Sequence, residues 1–263
     1  MTDTFDFVVV GAGSGGCAVA GRLSEGAATS VALLDAGGRN DNWRITTPFG
    51  LALPYRAANW AFDTVPQKGL NGRIGYQPRG KGLGGSSAIN AMVYIRGHKW
   101  DYDHWASLGN AGWSYADVLP YFKRSENNTD FDGAYHGKGG PLHVNRLRSD
   151  NPIHDVFHQA AREAQFRTRE DFNEEDHEGL GSYQVTQHKG ERWSAARAYL
   201  QPHMDKRANL RVETGAQATK ILFEGGRAVG IEYVQGKQTK QLRARREVIL
   251  TSGAFQSPQL LML

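Results

Sequence analysis

The chain opens on an apolar run at residues 5–10, FDFVVV, that stops at Gly11. A short continuous apolar run closed by a turn residue predicts a strand buried on both faces. The small residues of SGGCAVAGRL, 14–23, predict a helix able to lie close against a sheet. SVALL at 30–34 predicts a second buried strand, ending at Asp35. Strand, helix and strand in about 30 residues make a βαβ unit and imply a parallel sheet. The pattern then lapses. Residues 36–78 carry Pro48, Pro54, Pro66 and Pro78 among scattered aromatics and read as loop and short elements. A glycine-rich turn in 80–97 leads into AINAMVYI, which reads as a helix. Further helices are expected at 115–125 and 152–164, the second with Pro152 in its first turn, where a missing N–H costs nothing. The polar, glycine-rich stretch 127–150 reads as a boundary.

Apolar residues alternate in ATKILFEGGRAVGIEYV, with Gly225-Gly226 at the bend, which is a hairpin signal. A third strand is expected around 241–245. EVILT at 247–251 then resembles another buried strand. Ser257 and Pro258 suit the N-cap and first position of a closing helix. That would leave Leu263 one turn into an apolar helix, so the chain is expected to be truncated.

Composition narrows the classes. Glycine, 32 of 263 residues, is well above the usual level of roughly 7%. Without a G-X-Y period, the excess points to tight turns or to backbone lying close to a ligand. The net charge of +4 is mild. Lys237, Lys240, Arg243, Arg245 and Arg246 lie on the predicted hairpin without interleaved aromatics and read as a solvated strand face, so no nucleic acid is expected. The single cysteine, Cys17, excludes an internal disulfide framework and reads as a small buried packing residue. No run of about 18 apolar residues and no signal-peptide pattern occurs, so the expected compartment is the cytoplasm, with peripheral membrane association left open. His154 and His158 share a helix face but find no third ligand in the pattern, and Glu174, Glu175, Asp176 and Glu178 around His177 read as an exposed loop. No metal is expected.

The chemistry lies in two glycine segments. Gly11, Gly13 and Gly16 form G-x-G-x-x-G after a predicted strand and at the start of a predicted helix, with Asp35 at the end of the next strand. This is the context a dinucleotide-binding turn requires. Gly11 permits the tight turn, Gly13 lets backbone approach a pyrophosphate, and Gly16 lets helix and strand pack closely. Free N–H groups at the helix start favour phosphate, and Asp35 can accept from a ribose hydroxyl. The motif fits NAD or FAD alike, and the acid argues against a 2′-phosphate. The second segment, RGKGLGGSSAINAMVYIRG at 79–97, lacks the order of a nucleotide-hydrolase phosphate loop. It offers backbone N–H groups at Gly82, Gly84 and Gly85, hydroxyls at Ser86 and Ser87, and the Asn90 amide. Such a strip can lie against a large polar ring or a diphosphate.

This second segment resembles the first signature of the glucose–methanol–choline oxidoreductases, flavoenzymes that oxidise alcohols with FAD. GAFQSPQLLML, from Gly253, resembles the second signature. Asn59-Trp60 with Pro66-Gln67, GWSYADVLPYFKRSE and GSYQVTQHKGERWSAARAYL are similar to the choline-dehydrogenase-like branch. The resemblance covers nearly the whole chain, but only the N-terminal half of such an enzyme. It implies an α/β fold: a Rossmann-like FAD-binding domain with a βββ meander, plus the beginning of an α+β substrate domain. The FAD-binding domain would occupy 1–150, the start of the substrate domain 151–205, and the return to the FAD-binding domain 206–263.

Carried over residue by residue, the resemblance implies that Gly11, Gly13, Ser14, Gly15 and Gly16 hold the diphosphate of FAD. Asp35 matches the ribose-binding acid, usually the longer Glu. Ala36 would sit beside the adenosine and Trp60 near the cofactor. Gly82 and Gly84, with Ser86, Asn90, Ala91, Met92 and Val93, match the strip along the diphosphate, ribityl chain and flavin ring. Ala218 matches a backbone contact to adenine. No catalytic residue is assigned, because the family's proton-accepting His falls beyond Leu263. The 80–97 segment holds no His, Ile89 standing near the usual tether, so FAD is expected to be non-covalent. The expected function is oxidation of a small-molecule alcohol to an aldehyde by hydride transfer to flavin. Two alternatives stand beside it: an inactive flavin-binding module that needs a second chain carrying the C-terminal half, and an NAD-dependent Rossmann dehydrogenase. The second glycine segment argues against the last.

Overall fold

A computed structural model describes residues 3–52, 56–149 and 151–263. Pro54, among the prolines of the irregular stretch, and the expected boundary at 150 lie outside them. The chain divides into two units, one of Met1–Ala91 with Ser194–Leu263 and one of Met92–Trp193.

The first unit is built on a six-stranded sheet. In spatial order the strands are Leu210–Glu213, Val31–Leu34, Asp3–Val10, Gln238–Leu250, Arg227–Gln235 and Ala216–Glu224. The first three are parallel, and the last three form an antiparallel meander. The expected βαβ unit is present, with the helix Ser14–Leu23 between its strands. Period-2 alternation splits the buried strands between two cores. Val8, Val10, Ala32 and Leu34 join Ile221, Ile231 and Tyr233 on one side. Val9, Val31 and Leu33 face Cys17, Ala20 and the short helix Ala195–Tyr199 on the other. The sheet is thus covered on both faces, as a continuous apolar strand sequence requires.

Two expectations about this unit are corrected. The strands expected separately around 241–245 and at 247–251 are one strand, Gln238–Leu250. Its first half pairs antiparallel with Arg227–Gln235 and its later part parallel with Asp3–Val10. The polar residues between, ARRE, read as a break in an apolar pattern, but pairing with Asp3–Val10 on one edge, through a register shift, carries the strand past them. The closing helix runs Gly253–Met262 with Ser252 as its N-cap, so Ser257 and Pro258 lie inside it. Gly253 takes φ +84°, and that glycine turn starts the helix five residues before the proline signal. The irregular stretch has its expected character, with short turns around Asn42-capped Trp43–Thr46 and a two-residue pairing of Phe62–Asp63 with Tyr76–Gln77.

The second unit holds a four-stranded sheet of Val93–Tyr94, Gln184–Val185, Leu142–Arg146 and Glu126–Asn128. Strands therefore run through the 127–150 stretch. The helix Tyr115–Ser125 has its expected bounds, with Ser114 and Asp117 in a capping box. Ile153–Glu163 follows Pro152, which takes the N-cap. AINAMVYI is not a helix. Gly85–Ala88 forms one 3-10 turn, Met92 adopts φ +63°, and Val93 and Tyr94 pair with Val185 and Gln184. A left-handed residue in mid-segment ends any helix there. Among the described residues no helix is long and apolar enough to cross a membrane.

Candidate FAD site

The first unit carries a cavity of about 520 Å³ at the carboxyl ends of its parallel strands. That is within the range of roughly 300–1,000 Å³ usual for small-molecule sites. It is lined by Val10, Gly11 and Gly13–Gly15 of the first glycine turn, by Leu34, Asp35 and Ala36 at the end of the second strand, and by Ala216–Thr219. Arg79, Gly80, Gly85 and Ser86 enter from the second glycine segment. Thr251–Gln256 enter from the start of the closing helix.

Two helices begin at this cavity, Ser14–Leu23 and Gly253–Met262, and neither N-cap residue supplies a side-chain hydrogen bond to its helix. Their first N–H groups thus have neither an intrahelical nor a capping acceptor. The partial positive charge of both helix starts adds to a site suited to an anion. The Ser252 hydroxyl is turned away, donating to Val10 O at 2.9 Å.

The glycines differ in what requires them. Gly11 has φ +102°, and a Cβ there would lie 2.7 Å from Thr251 O. A Cβ on Gly16 would lie 1.9 Å from Gly11 O, so Gly16 is demanded by helix–strand packing. Gly13 is different. Its φ is −70°, and the nearest atom to a Cβ would be Thr251 O at 3.8 Å. Gly15 is equally open, with Thr251 Cγ2 at 3.9 Å. Nothing within the protein demands a glycine at either position, and both line the cavity. Their identity fits a ligand that approaches the backbone there.

Asp35 sits at the junction of the two glycine segments. Its Oδ2 accepts from Ala12 N at 2.8 Å, and its Oδ1 accepts from Gly37 N and Gly82 N, each at 2.8 Å. Burial pushes its carboxyl above the usual range, and the three amides oppose that shift. Gly84 N donates to Ala12 O at 2.8 Å, tying the segments a second time. Opposite, Trp60 stacks on Phe62 at 5.8 Å, and Phe62 meets Phe255 edge-on at 5.9 Å. Lys81 lies over Trp60 and Arg79 over Phe255, at 4.4 and 4.3 Å. The Gln256 amide bridges Trp60 Nε1 and Ser252 O at 2.9 and 3.2 Å.

Of the residues singled out in the sequence, Gly11, Gly13, Ser14, Gly15, Asp35, Ala36, Trp60, Ser86 and Ala218 line the cavity together. Gly16, Gly82 and Gly84 do not line it. Gly16 packs on Gly11, while Gly82 and Gly84 direct their N–H groups to Asp35 and Ala12. Asn90 and Ala91 follow the 3-10 turn, with Asn90 N bonded to Ser86 O at 2.8 Å. Met92 and Val93 belong to the second unit. Sequence reasoning missed Arg79, Phe62, Gln217, Thr219 and the run Thr251–Gln256. The last was visible as a signature, but setting the helix start at Ser257 hid its role as a second helix N terminus.

Comparison with known proteins decides the family. The GMC oxidoreductase family model matches residues 5–263. The chain belongs to the GMC oxidoreductases. The oxygen-dependent choline dehydrogenase of Brucella anthropi is 47% identical over 260 residues, which are 98% of this chain and 47% of that protein. Among solved structures, pyridoxine 4-oxidase from Mesorbium loti superposes with a TM-score of 0.93 at 32% identity, covering 98% of this chain and 51% of that one. An FAD-dependent oxidoreductase from Chaetomium thermophilum gives 0.91 at 30% identity, covering 98% and 47%. The chain thus spans about half the length of the relatives it matches. The α/β fold with its meander is the FAD-binding fold of GMC oxidoreductases, and FAD is the cofactor this family member takes.

Proposed function

We propose that this chain is the cofactor-holding half of a flavoenzyme that oxidises a small alcohol to an aldehyde. The observation that carries the reading is the convergence of two uncapped helix starts and two glycine segments on one cavity. Bound FAD supplies the hydride acceptor for the alcohol carbon. The chain's own residues bind and orient. The N–H groups at Ser14, Gly15 and Gly16 suit the diphosphate, and Asp35, Ala36 and Ala218 suit the adenosine. Trp60 forms a wall, and Ser86, with Asn90 and Ala91 following it in the second glycine segment, suits the ribityl chain. The likeness to choline dehydrogenases makes choline the first alcohol to test. The cytoplasm is the proposed compartment.

We infer that FAD is held without a covalent bond. The cavity lining contains neither His nor Cys. Cys17 is buried, its Sγ donates to Ala12 O at 3.1 Å, and burial pushes the thiol up to about 12, so no thiolate forms near neutral pH. Flavin is expected in the supernatant after acid precipitation. Flavin retained in the pellet would contradict the inference.

A second reading, an inactive module completed by a second chain carrying the other half, is favoured by two observations. None of its nine histidines lines the cavity, so no imidazole stands ready to take the alcohol proton. On the helix Ile153–Glu163, Ile153, Val156 and Phe157 are each more than half exposed, an apolar face suited to burial against further polypeptide. A visible spectrum with a turnover assay on choline and simple primary alcohols separates the readings. Yellow protein with turnover supports the enzyme, and yellow protein without turnover supports the module. Colourless protein with NAD-dependent turnover would overturn both.

A further inference from the structure

The aromatic wall of the cavity is held from two sides. At its base, Asn59 Oδ1 accepts from Ala61 N and Arg79 N, each at 3.0 Å, and Trp60 N donates to Arg79 O at 2.8 Å. Between Trp60 and Phe62, Ala61 takes φ +52°, a left-handed conformation that costs every residue but glycine. The stack of the two rings is thus set against a local backbone preference. Gln256, in the first turn of the closing helix, supplies the hold from the other side. Its amide oxygen accepts from Trp60 Nε1 at 2.9 Å, and its amide nitrogen donates to Ser252 O at 3.2 Å. The Ser252 hydroxyl in turn donates to Val10 O at 2.9 Å. One chain of hydrogen bonds and backbone therefore runs from the Trp60 ring to the end of the first strand. Trp60, Gln256, Ser252 and Val10 all line the cavity. Lys81 Nζ also lies over the Trp60 ring, at 4.4 Å, but that contact needs only a ring face, whereas Gln256 needs the indole N–H.

We propose that Gln256 is a positioning residue that latches the Trp60 wall beside the cavity, and that this latch sets how fast a flavin enters and leaves without setting how tightly it is held. The rate clause rests on the FAD reading, and the latch does not. Every partner in the latch is a protein group, so it holds the wall alike whether the cavity is filled or empty. Breaking it lowers the barrier in both directions and leaves the equilibrium alone. Loss of a direct contact to the ligand acts differently, raising the off-rate and the dissociation constant together.

The test compares the 263-residue chain with its Gln256→Met, Trp60→Phe and double variants. Met keeps the length of Gln without its polar atoms. Phe keeps a ring for Phe62 and Lys81 and removes the indole N–H. In the ligand-free chain, the Trp60 indole N–H resonance, assigned by its loss in Trp60→Phe, should exchange with solvent about two- to tenfold faster in Gln256→Met than in wild type, the scale of one neutral hydrogen bond. Equal exchange in the two overturns the latch. Gln256→Ala decides the same point should Gln256→Met not fold. Stopped-flow flavin fluorescence then gives the FAD rates. On- and off-rates are both expected to rise by about two- to tenfold in each single variant, with the dissociation constant within about twofold of wild type and no further rise in the double variant. A rise in the off-rate alone, effects that multiply in the double variant, or unchanged rates in the folded variants overturn the rate clause. Should FAD fail to bind while indole exchange depends on Gln256, the FAD reading and with it the rate clause fall, and the latch is upheld.

Discussion

Gly13 and Gly16 belong to one motif yet have different physical reasons for being glycine, and that separates their mutational effects. At Gly13 the backbone, φ −70° and ψ −167°, accepts any residue, and the protein leaves 3.8 Å around a Cβ. Gly13→Val should therefore fold with nearly unchanged thermal stability and lose FAD affinity at least tenfold, because its side chain stands where the diphosphate must approach. A folded Gly13→Val with full flavin occupancy would show that the phosphate turn is misassigned. At Gly16 a Cβ would lie 1.9 Å from Gly11 O, so Gly16→Ala should lower stability by about 1–3 kcal/mol, read as a fall in the urea midpoint. Much at this scale was legible. The turn glycines and Asp35 stand in a fixed order after an apolar strand, and the order implies its geometry. The three amides on Asp35 were not legible. Gly82 is 47 residues away and reaches the carboxylate only through the tertiary path of an irregular stretch.

At the scale of elements, strands and helices with strong patterns were readable, and those defined by a partner were not. Val93–Tyr94 is a strand because Gln184–Val185 lies beside it, a fact absent from its own neighbourhood in sequence. The same holds for the polar cluster that joins the elements of the second unit. Arg96 Nη2 meets Glu126 Oε2 at 2.7 Å, His136 Nε2 meets Asp171 Oδ2 at 2.5 Å, and His136 Nδ1 meets Glu126 Oε1 at 3.1 Å, all buried. The two protons of the Asn128 amide go to Glu126 and Gln184. His136 Nδ1, 3.2 Å from that amide, must therefore carry its own proton, and the ring is an imidazolium between two carboxylates. Burial alone would lower its pKa, but the hydrogen bonds to Asp171 and Glu126 overcome this and raise it to about 9. With the folded value above the ordinary 6.5, this contribution to stability is complete below pH 6.5 and fades as pH rises through 9. The expected loss is about 3 kcal/mol. Urea midpoints between pH 6 and 10 should fall accordingly, and His136→Gln should flatten that fall while lowering stability at pH 6. A wild-type profile level across this range would show that the ring is neutral.

At the scale of the whole molecule, the first unit offers the cavity proposed for FAD, and no catalytic base is assigned. The 263-residue chain is accordingly expected to show no choline or primary-alcohol turnover above free flavin in a steady-state assay. Turnover above that level would place a proton acceptor among these residues. The central claim is that the cavity of the first unit is where FAD binds, and amide hydrogen exchange of the folded chain with and without FAD tests it most directly. The account predicts saturable binding with protection concentrated at residues 11–17, 79–86, 216–219 and 251–256. Protection confined to other segments, or a folded chain whose exchange FAD leaves unchanged, would contradict it.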